Sequence, residues 1–566
     1  MFTSWKSSKR QALRSVFVAL LFGLSGCAGA AAAPDESAAQ GVGAQIRRAE
    51  TALANYELRE AATEYRKAAE ASNNDETARR ATHLAYDLGF SDEALRAARR
   101  WVELAPNNDE ALLYLAQLQL RSGQLRQSEK AFRRLLERSD LNPDKRLLSF
   151  VPALSQEDGE NANKVMRKLA KPYKTSADAQ YAAGLVALDA GKADEAEERA
   201  LRALELQPDW LSAQLLRGRS LLVSGQVDAA IEYTAHIVGD SFDPDPDARL
   251  ELALMYLAAE REDDALSQIN QVLMEQPGRP DALRLMALVN YQQNNIEMAW
   301  NDFQDLLNTG QHTEDAFYYL GRIADERGEF VQAVRLLMQV DKGPNVVAAQ
   351  KRAGGLLVQL GRPEEAIEHF TNFARRHPAL AVDMLYARGQ VNASMGNYAD
   401  ALADFDRVVR IIPDDEGALL GRAELQLRMD NLEAALADYR LAAKRFPDSA
   451  VSLNALGYTL ADRTTEFAEA YRMIRRALEL DPESPAIIDS HGWVLFRQGK
   501  FEAALAELER AYGLMKDAEI AAHIIEVLWN LERKEDAVAF MAQADIDYPN
   551  NMRLAELRER LLDDGD

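Results

Sequence analysis

From residue 42 onward the chain is built of amphipathic stretches, and the small residues that punctuate them return at a fixed interval. A Gly closes one stretch, an Ala follows five residues later, another Ala seven beyond it and a Pro after five more; Gly191, Ala196, Ala203 and Pro208 show the whole set. Pro378, Pro413, Pro447 and Pro482 stand 35, 34 and 35 residues apart, and Pro106 and Pro208 stand 102 apart, which is three intervals of 34. Small side chains at fixed positions let two helices approach closely. A Pro, with its fixed φ and no amide hydrogen, stops the second of them.

A helix–turn–helix unit of this length and punctuation resembles the tetratricopeptide repeat. Gly184, Gly218, Gly321, Gly354, Gly389 and Gly492 fall on the small position of the first helix. Ala94, Ala230, Ala265, Ala299, Ala333, Ala366, Ala401, Ala435, Ala470, Ala504 and Ala537 fall on that of the second, eleven in one phase. The frame starts units near 42, 75, 109, 143, 177, 211, 246, 280, 314, 347, 382, 416, 450, 485 and 518. The predicted fold is all-α: an α-solenoid, or superhelix, of about 15 tetratricopeptide-like helical pairs over residues 44–549, closed by a capping helix and acidic tail in residues 550–566. Each pair buries its apolar face only against its neighbours, so no ordinary domain boundary is expected within the array. The least regular stretches, 139–176 and 239–248, are where a change of path is expected.

Residues 1–26 read differently. Lys6, Lys9, Arg10 and Arg14 precede an apolar run from Val16 to Leu24, nine residues where a membrane span takes about 20, so the segment reads as a cleaved secretory signal. The run ends in Leu24-Ser25-Gly26-Cys27, which resembles the lipobox of bacterial lipoprotein precursors, with the chain's one cysteine at the acylated position. That resemblance implies two or more acyl chains on Cys27, enough to hold a protein on a membrane. Ala28, where an Asp would favour the inner membrane, then implies sorting to the outer membrane with the repeats in the periplasm. Residues 27–43 hold almost no large apolar side chain and read as a flexible tether. A single cysteine excludes an internal disulfide, and a net charge of -24 repels nucleic acid and anionic lipid alike, so no nucleic-acid partner is expected.

The seven histidines are scattered, and none sits at a metal-ligand spacing; neither metal nor cofactor is expected. Asp489, Ser490 and His491 carry the residue types of nucleophilic catalysis, but consecutive helical residues point about 100° apart and cannot form a hydrogen-bonded triad among themselves. The pattern is that of a binding protein, not an enzyme. In proteins with this repeat, positions 2, 5, 9, 12 and 13 of each first helix face the groove. In the last three units these include Asn454, Tyr458, Asp489, Trp493, Phe496, Arg497, Glu526, Trp529 and Asn530. Tyr458, Trp493, Phe496, Arg497 and Trp529 are the candidate partner-binding residues, because Trp, Tyr and Arg dominate binding energy at interfaces. Core packing of Trp493, Phe496 and Trp529 is the competing reading. Tyr318, Arg322, Asp325 and Glu326 read as a solvated polar face.

The segment 453–505 resembles a recurrent stretch in tetratricopeptide lipoproteins of Gram-negative bacteria. With the lipobox and the length of the array, the chain is similar to outer-membrane lipoproteins that partner a periplasmic carboxyl-terminal processing protease. The resemblance implies an adaptor that binds and activates the protease and helps deliver cell-wall cross-link hydrolases to it. A structural scaffold in an outer-membrane polysaccharide exporter, or in secretin or pilus assembly, is the alternative.

Overall fold

The computed structural model describes residues 36–138, 142–239 and 244–563. The signal, Cys27 and the start of the tether lie outside the described residues. Two compact units divide the chain between Met384 and Leu385. The first opens with three helix pairs: α1 (Glu36–Ala54) and α2 (Leu58–Ala71), α3 (Asp75–Asp87) and α4 (Ser91–Leu104), α5 (Asp109–Arg121) and α6 (Leu125–Glu137). An irregular unit follows, α7 (Pro143–Ser149), α8 (Val151–Ser155) and α9 (Gly159–Ala170). Six further pairs come next: α10 (Ala177–Asp189) and α11 (Ala193–Leu206), α12 (Leu211–Val223) and α13 (Val227–Gly239), α14 (Pro246–Ala258) and α15 (Glu262–Glu275), α16 (Pro280–Gln292) and α17 (Ile296–Asn308), α18 (Thr313–Glu326) and α19 (Phe330–Leu337), α20 (Val346–Gln359) and α21 (Pro363–Arg376). The division falls inside α22 (Ala381–Ser394). The second unit continues with α23 (Tyr398–Ile411), then α24 (Glu416–Arg428) and α25 (Leu432–Arg445), α26 (Ala450–Arg463) and α27 (Phe467–Leu480), α28 (Pro485–Arg497) and α29 (Phe501–Leu514), α30 (Ala518–Asn530) and α31 (Lys534–Asp547), and ends with α32 (Met552–Asp563). The described residues contain no strand, and none of their helices is long and apolar enough to cross a membrane.

The small positions behave as the period requires. All eleven in-phase alanines of the second helices are fully buried. On the first helices the crossing is tighter still: a Cβ on Gly492 would lie 2.6 Å from Leu508 Cγ, and one on Gly354 only 2.1 Å from Phe370 Cζ. Polar pairs between a half-buried arginine and a buried aspartate link the two helices within pairs of the second unit. Arg388 Nε donates to Asp404 and Arg422 Nε to Asp438, both at 2.8 Å and both across 16 residues.

Three features depart from the sequence expectation. Helix α1 begins at Glu36, so residues 36–43 are helical, not tether, although Gly41 and Gly43 lower the intrinsic helix propensity of that stretch. No domain boundary is expected within the array, yet two compact units divide inside α22, and residues 142–176 lie within the first of them. There one core cluster runs without a break from Ala62 to Val186, taking in Leu147, Phe150, Leu154, Val165 and Leu169, so irregular helices do not mean a thin core. Pro152 explains the local irregularity, because it ends α7 and forces a fresh start at α8. Helix α19 has 8 residues where its neighbours have 13 or 14, and its last carbonyls are met from outside. Buried Gln350 donates to Leu337 O at 3.3 Å and Val340 O at 2.6 Å, while its own oxygen lies 2.6 Å from His369 Nε2.

Candidate functional site

The site region is the face shared by the first helices α26, α28 and α30. Each start is locally specified. The Ser449 hydroxyl accepts from the Ser452 amide at 3.2 Å, Pro485 occupies the first turn of α28, and the Asp517 carboxylate accepts from the Glu519 amide at 2.7 Å. Units 34 or 35 residues long then set the three helices side by side, with positions 5, 9, 12 and 13 turned the same way.

Trp493 is central, and it is only 5% exposed. Its indole stacks on the His523 imidazole (centroids 4.1 Å, 22°) and on the Phe496 ring (5.0 Å, 28°), and it belongs to the core with Leu453, Leu456 and Leu460. Its Nε1 and the side-chain oxygen of Asn454 are buried without a hydrogen-bond partner among the described residues. Phe496 and Trp529 are half-buried, the latter beneath the Lys534 ammonium at 5.1 Å. Arg497 is engaged internally, donating to Asp462 O at 2.8 Å and lying over the Phe467 ring. Tyr458 donates from its hydroxyl to Glu519 at 2.7 Å, a contact between first helices two units apart. Burial and the adjoining Glu519 carboxylate push the Tyr458 hydroxyl well above its ordinary range. Burial alone would raise Glu519, but the Tyr458 hydrogen bond and the Arg553 charge outweigh it and hold the carboxyl low.

Asp489, Ser490 and His491 go three separate ways. Asp489 accepts from His523 Nδ1 at 2.8 Å, the Ser490 hydroxyl donates to Ala486 O at 2.9 Å within its own helix, and His491 faces Glu507 at 3.7 Å. His523, fully buried, completes a chain, for its Nε2 lies 2.9 Å from an Arg553 nitrogen that can only donate. Sequence reasoning missed His523, Glu519 and Arg553. One signal was present, since Asp489 and His523 are complementary residues 34 apart, one period. Arg553 lies in the terminal helix, outside the repeat frame, where periodicity says nothing.

Between α28, α30 and α32 runs a groove of about 610 Å³, with Trp493 and Phe496 on one wall and Arg553, Leu557 and Arg560 of α32 on the other. Glu526 and Asn530 line it as well. Aromatic faces with scattered donors and acceptors suit a protein segment, and among the described residues no three His, Cys, Asp or Glu side chains gather as metal ligands. In the first unit, Arg322 lies over the Tyr291 ring at 5.3 Å, Asp325 takes two hydrogen bonds from Arg352 at 2.6 and 2.8 Å, and Glu326 accepts from Tyr291 at 2.7 Å. These groups tie neighbouring first helices together instead of standing free in solvent.

One tetratricopeptide repeat model matches residues 80–144, 181–244, 352–416 and 490–551, and a second matches 417–449. Together they cover just over half of the chain. The TPR repeat-containing protein PA4667 of Pseudomonas aeruginosa is 34% identical over 211 residues, 37% of this chain and 36% of that protein. Cellulose synthase 2 operon protein C of Komagataeibacter xylinus is 25% identical over 264 residues, 43% of this chain and 20% of that protein. The chain thus spans about a third or less of the length of these curated relatives. Among solved structures, the APC/C hetero-tetramer Cut9–Hcn1 aligns over 86% of this chain and 96% of its own at 17% identity, with a TM-score of 0.35. The 34-residue period, the fully buried alanine positions, the paired helices and the matched repeats agree, and the chain belongs to the tetratricopeptide repeat family.

Proposed function

We propose that the chain is a non-catalytic adaptor lipoprotein, held on the outer membrane through Cys27, that binds and activates a periplasmic carboxyl-terminal processing serine protease and delivers peptidoglycan cross-link hydrolases to it. The observation that supports this most is segment 453–505. It carries the resemblance to Gram-negative tetratricopeptide lipoproteins, and its residues build α26 to α28 and the aromatic wall of the groove. Repeat arrays of this kind typically present protein-binding surface without chemistry of their own. Tethering protease and substrate to one scaffold makes their encounter nearly intramolecular and can raise apparent affinity by about 10² to 10⁴.

A scaffold in a polysaccharide exporter is the second reading, favoured by the similarity to the cellulose synthase operon protein. The test is functional. Purified residues 44–566 should hydrolyse nothing alone, yet should accelerate degradation of cell-wall hydrolases by the cognate processing protease, and loss of the gene should raise hydrolase levels as loss of the protease does. Unchanged hydrolase levels together with a polysaccharide-export defect would select the second reading.

A further inference from the structure

Helix α32 holds its place lightly and by a particular chemistry. Leu554, Leu557 and Leu561 recur at i, i+3 and i+7 and form one stripe. Leu554 and Leu557 are buried and Leu561 half-buried, in a cluster with Ile520, Ile524 and Leu528 of α30 and Met541 of α31. Every other described side chain from Met552 to Arg560 is exposed. Around this shallow seat the charges sort by sign. Arg553 meets Glu519 at 2.6 Å, Arg560 meets Glu526, and Arg558 meets Asp545, so three arginines of the helix face three acids of α30 and α31. The chain reaches α32 through only the short turn after Asp547, and terminal elements with few buried side chains open most readily. Nor does α32 fill the space it occupies, because the groove beside it stays open as far as Trp493, whose Nε1 has no hydrogen-bond partner among the described residues.

We propose that the face of α30 and α31 beneath α32 is a docking site for an amphipathic helix of a partner protein, with leucines at i, i+3 and i+7 and arginines at i−1 and i+6 that meet its acidic rim, and that α32 is its intramolecular competitor. Charge complementarity selects that occupant: the rim is acidic, and the helix seen on it, though balanced overall by Glu556, Glu559 and Asp563, meets that rim with Arg553, Arg558 and Arg560. The proposal deepens the adaptor reading and rests on it only in taking the partner to be a protein.

The probe is a labelled peptide of residues 550–563, titrated by fluorescence anisotropy against the full chain and against its Arg553→Glu/Arg560→Glu variant. Losing two rim ion pairs and gaining repulsion loosens the chain's own helix, so the peptide should bind the variant about ten-fold more tightly than the wild type, and less tightly as salt rises. Adding Glu526→Arg to the variant should abolish the gain, and Arg560→Glu alone serves if the double variant unfolds. Hydrogen exchange of the wild type should show α32 opening faster than α30 and α31. Binding to neither protein, or α32 amides exchanging only in step with α30, would overturn the proposal. So would a wild-type dimer in which α32 is protected, since the occupant would then be a second copy of the chain. No protease enters this assay, so its failure removes the seat and leaves the adaptor reading standing, while failure of protease stimulation leaves the seat.

Discussion

Gly354 and Gly355 are neighbours in α20 with opposite surroundings, and alanine at each should move stability in opposite directions. A Cβ on Gly355 meets nothing within 4 Å, whereas one on Gly354 would lie 2.1, 2.7 and 2.9 Å from three atoms of the Phe370 ring. Ordinary carbon contacts sit near 3.5–4.0 Å, so the ring must retreat by roughly 1.5 Å. Phe370 is 1% exposed, so its ring can retreat only against the packed side chains around it. Replacing Gly by Ala inside a helix contributes about 0.5–1 kcal/mol from backbone entropy and propensity. Because that gain is common to both substitutions, their difference isolates the overpacking, about 1–3 kcal/mol and toward the upper end at this separation.

A repeat array need not unfold in one step, so a single melting temperature is a poor measure; local hydrogen exchange in α20 and α21 is the suitable one. Gly355→Ala should slow exchange there. Gly354→Ala should speed it, and Phe370→Leu in the same chain should return part of the loss by removing the clashing ring atoms. Equal stabilisation by both alanines would refute the close crossing, and with it the reason a glycine stands at this position of the repeat.

Burial, with Arg376 adding to it, lowers the His369 pKa from 6.5 to about 4. The unfolded chain therefore takes up a proton that the folded chain refuses, and stability should fall as pH drops from about 6.5 to about 4, by at most about 3 kcal/mol; His369→Gln should flatten that part of a denaturant-derived pH profile relative to wild type. Trp493→Ala should cost about 3–5 kcal/mol, as expected for a buried aromatic, whereas half-buried Trp529→Ala should cost less stability and more partner affinity, read by local hydrogen exchange in α28 and α30 and by pull-down side by side. Cys27→Ser should remove the protein from the outer-membrane fraction, and unchanged retention in sucrose-gradient fractions would refute the anchor.

The fold was legible because it is periodic. Eleven alanines and six glycines in phase each correspond to a helix crossing, and a crossing constrains side-chain size at a fixed position whatever the rest of the unit does. What the period could not convey was anything acting outside it. The early start of α1 extends a helix whose Ile46, Ala49 and Leu53 pack into the first core cluster, back through a stretch where the repeat frame had not yet begun. The short α19 depends on Gln350 reaching back to Leu337 and Val340, an interaction that nothing in the 34-residue frame anticipates. The candidate site was half legible. Position counting brought Trp493, Phe496 and Tyr458 to one face, but it could not tell that Trp493 would be covered by His523, nor that Arg497 would spend its guanidinium on Asp462.

Those internal engagements change what the face offers a partner. Tyr458, Glu519, Arg553, His523 and Asp489 form in that order an unbroken chain of hydrogen bonds and ion pairs across three first helices and α32, so each already has its partner. A ligand that competed for one of them would have to replace a contact made in a partly dry site, where leaving a polar group unpaired costs about 1–3 kcal/mol. Binding should therefore begin where no such exchange is needed: at the exposed edges of Phe496 and Trp529, and along the groove toward the unpartnered indole nitrogen of Trp493. The network then acts as a frame that holds these surfaces at fixed separation, and α32, tied to it through Arg553, is the element whose movement would widen the groove without unmaking the repeats.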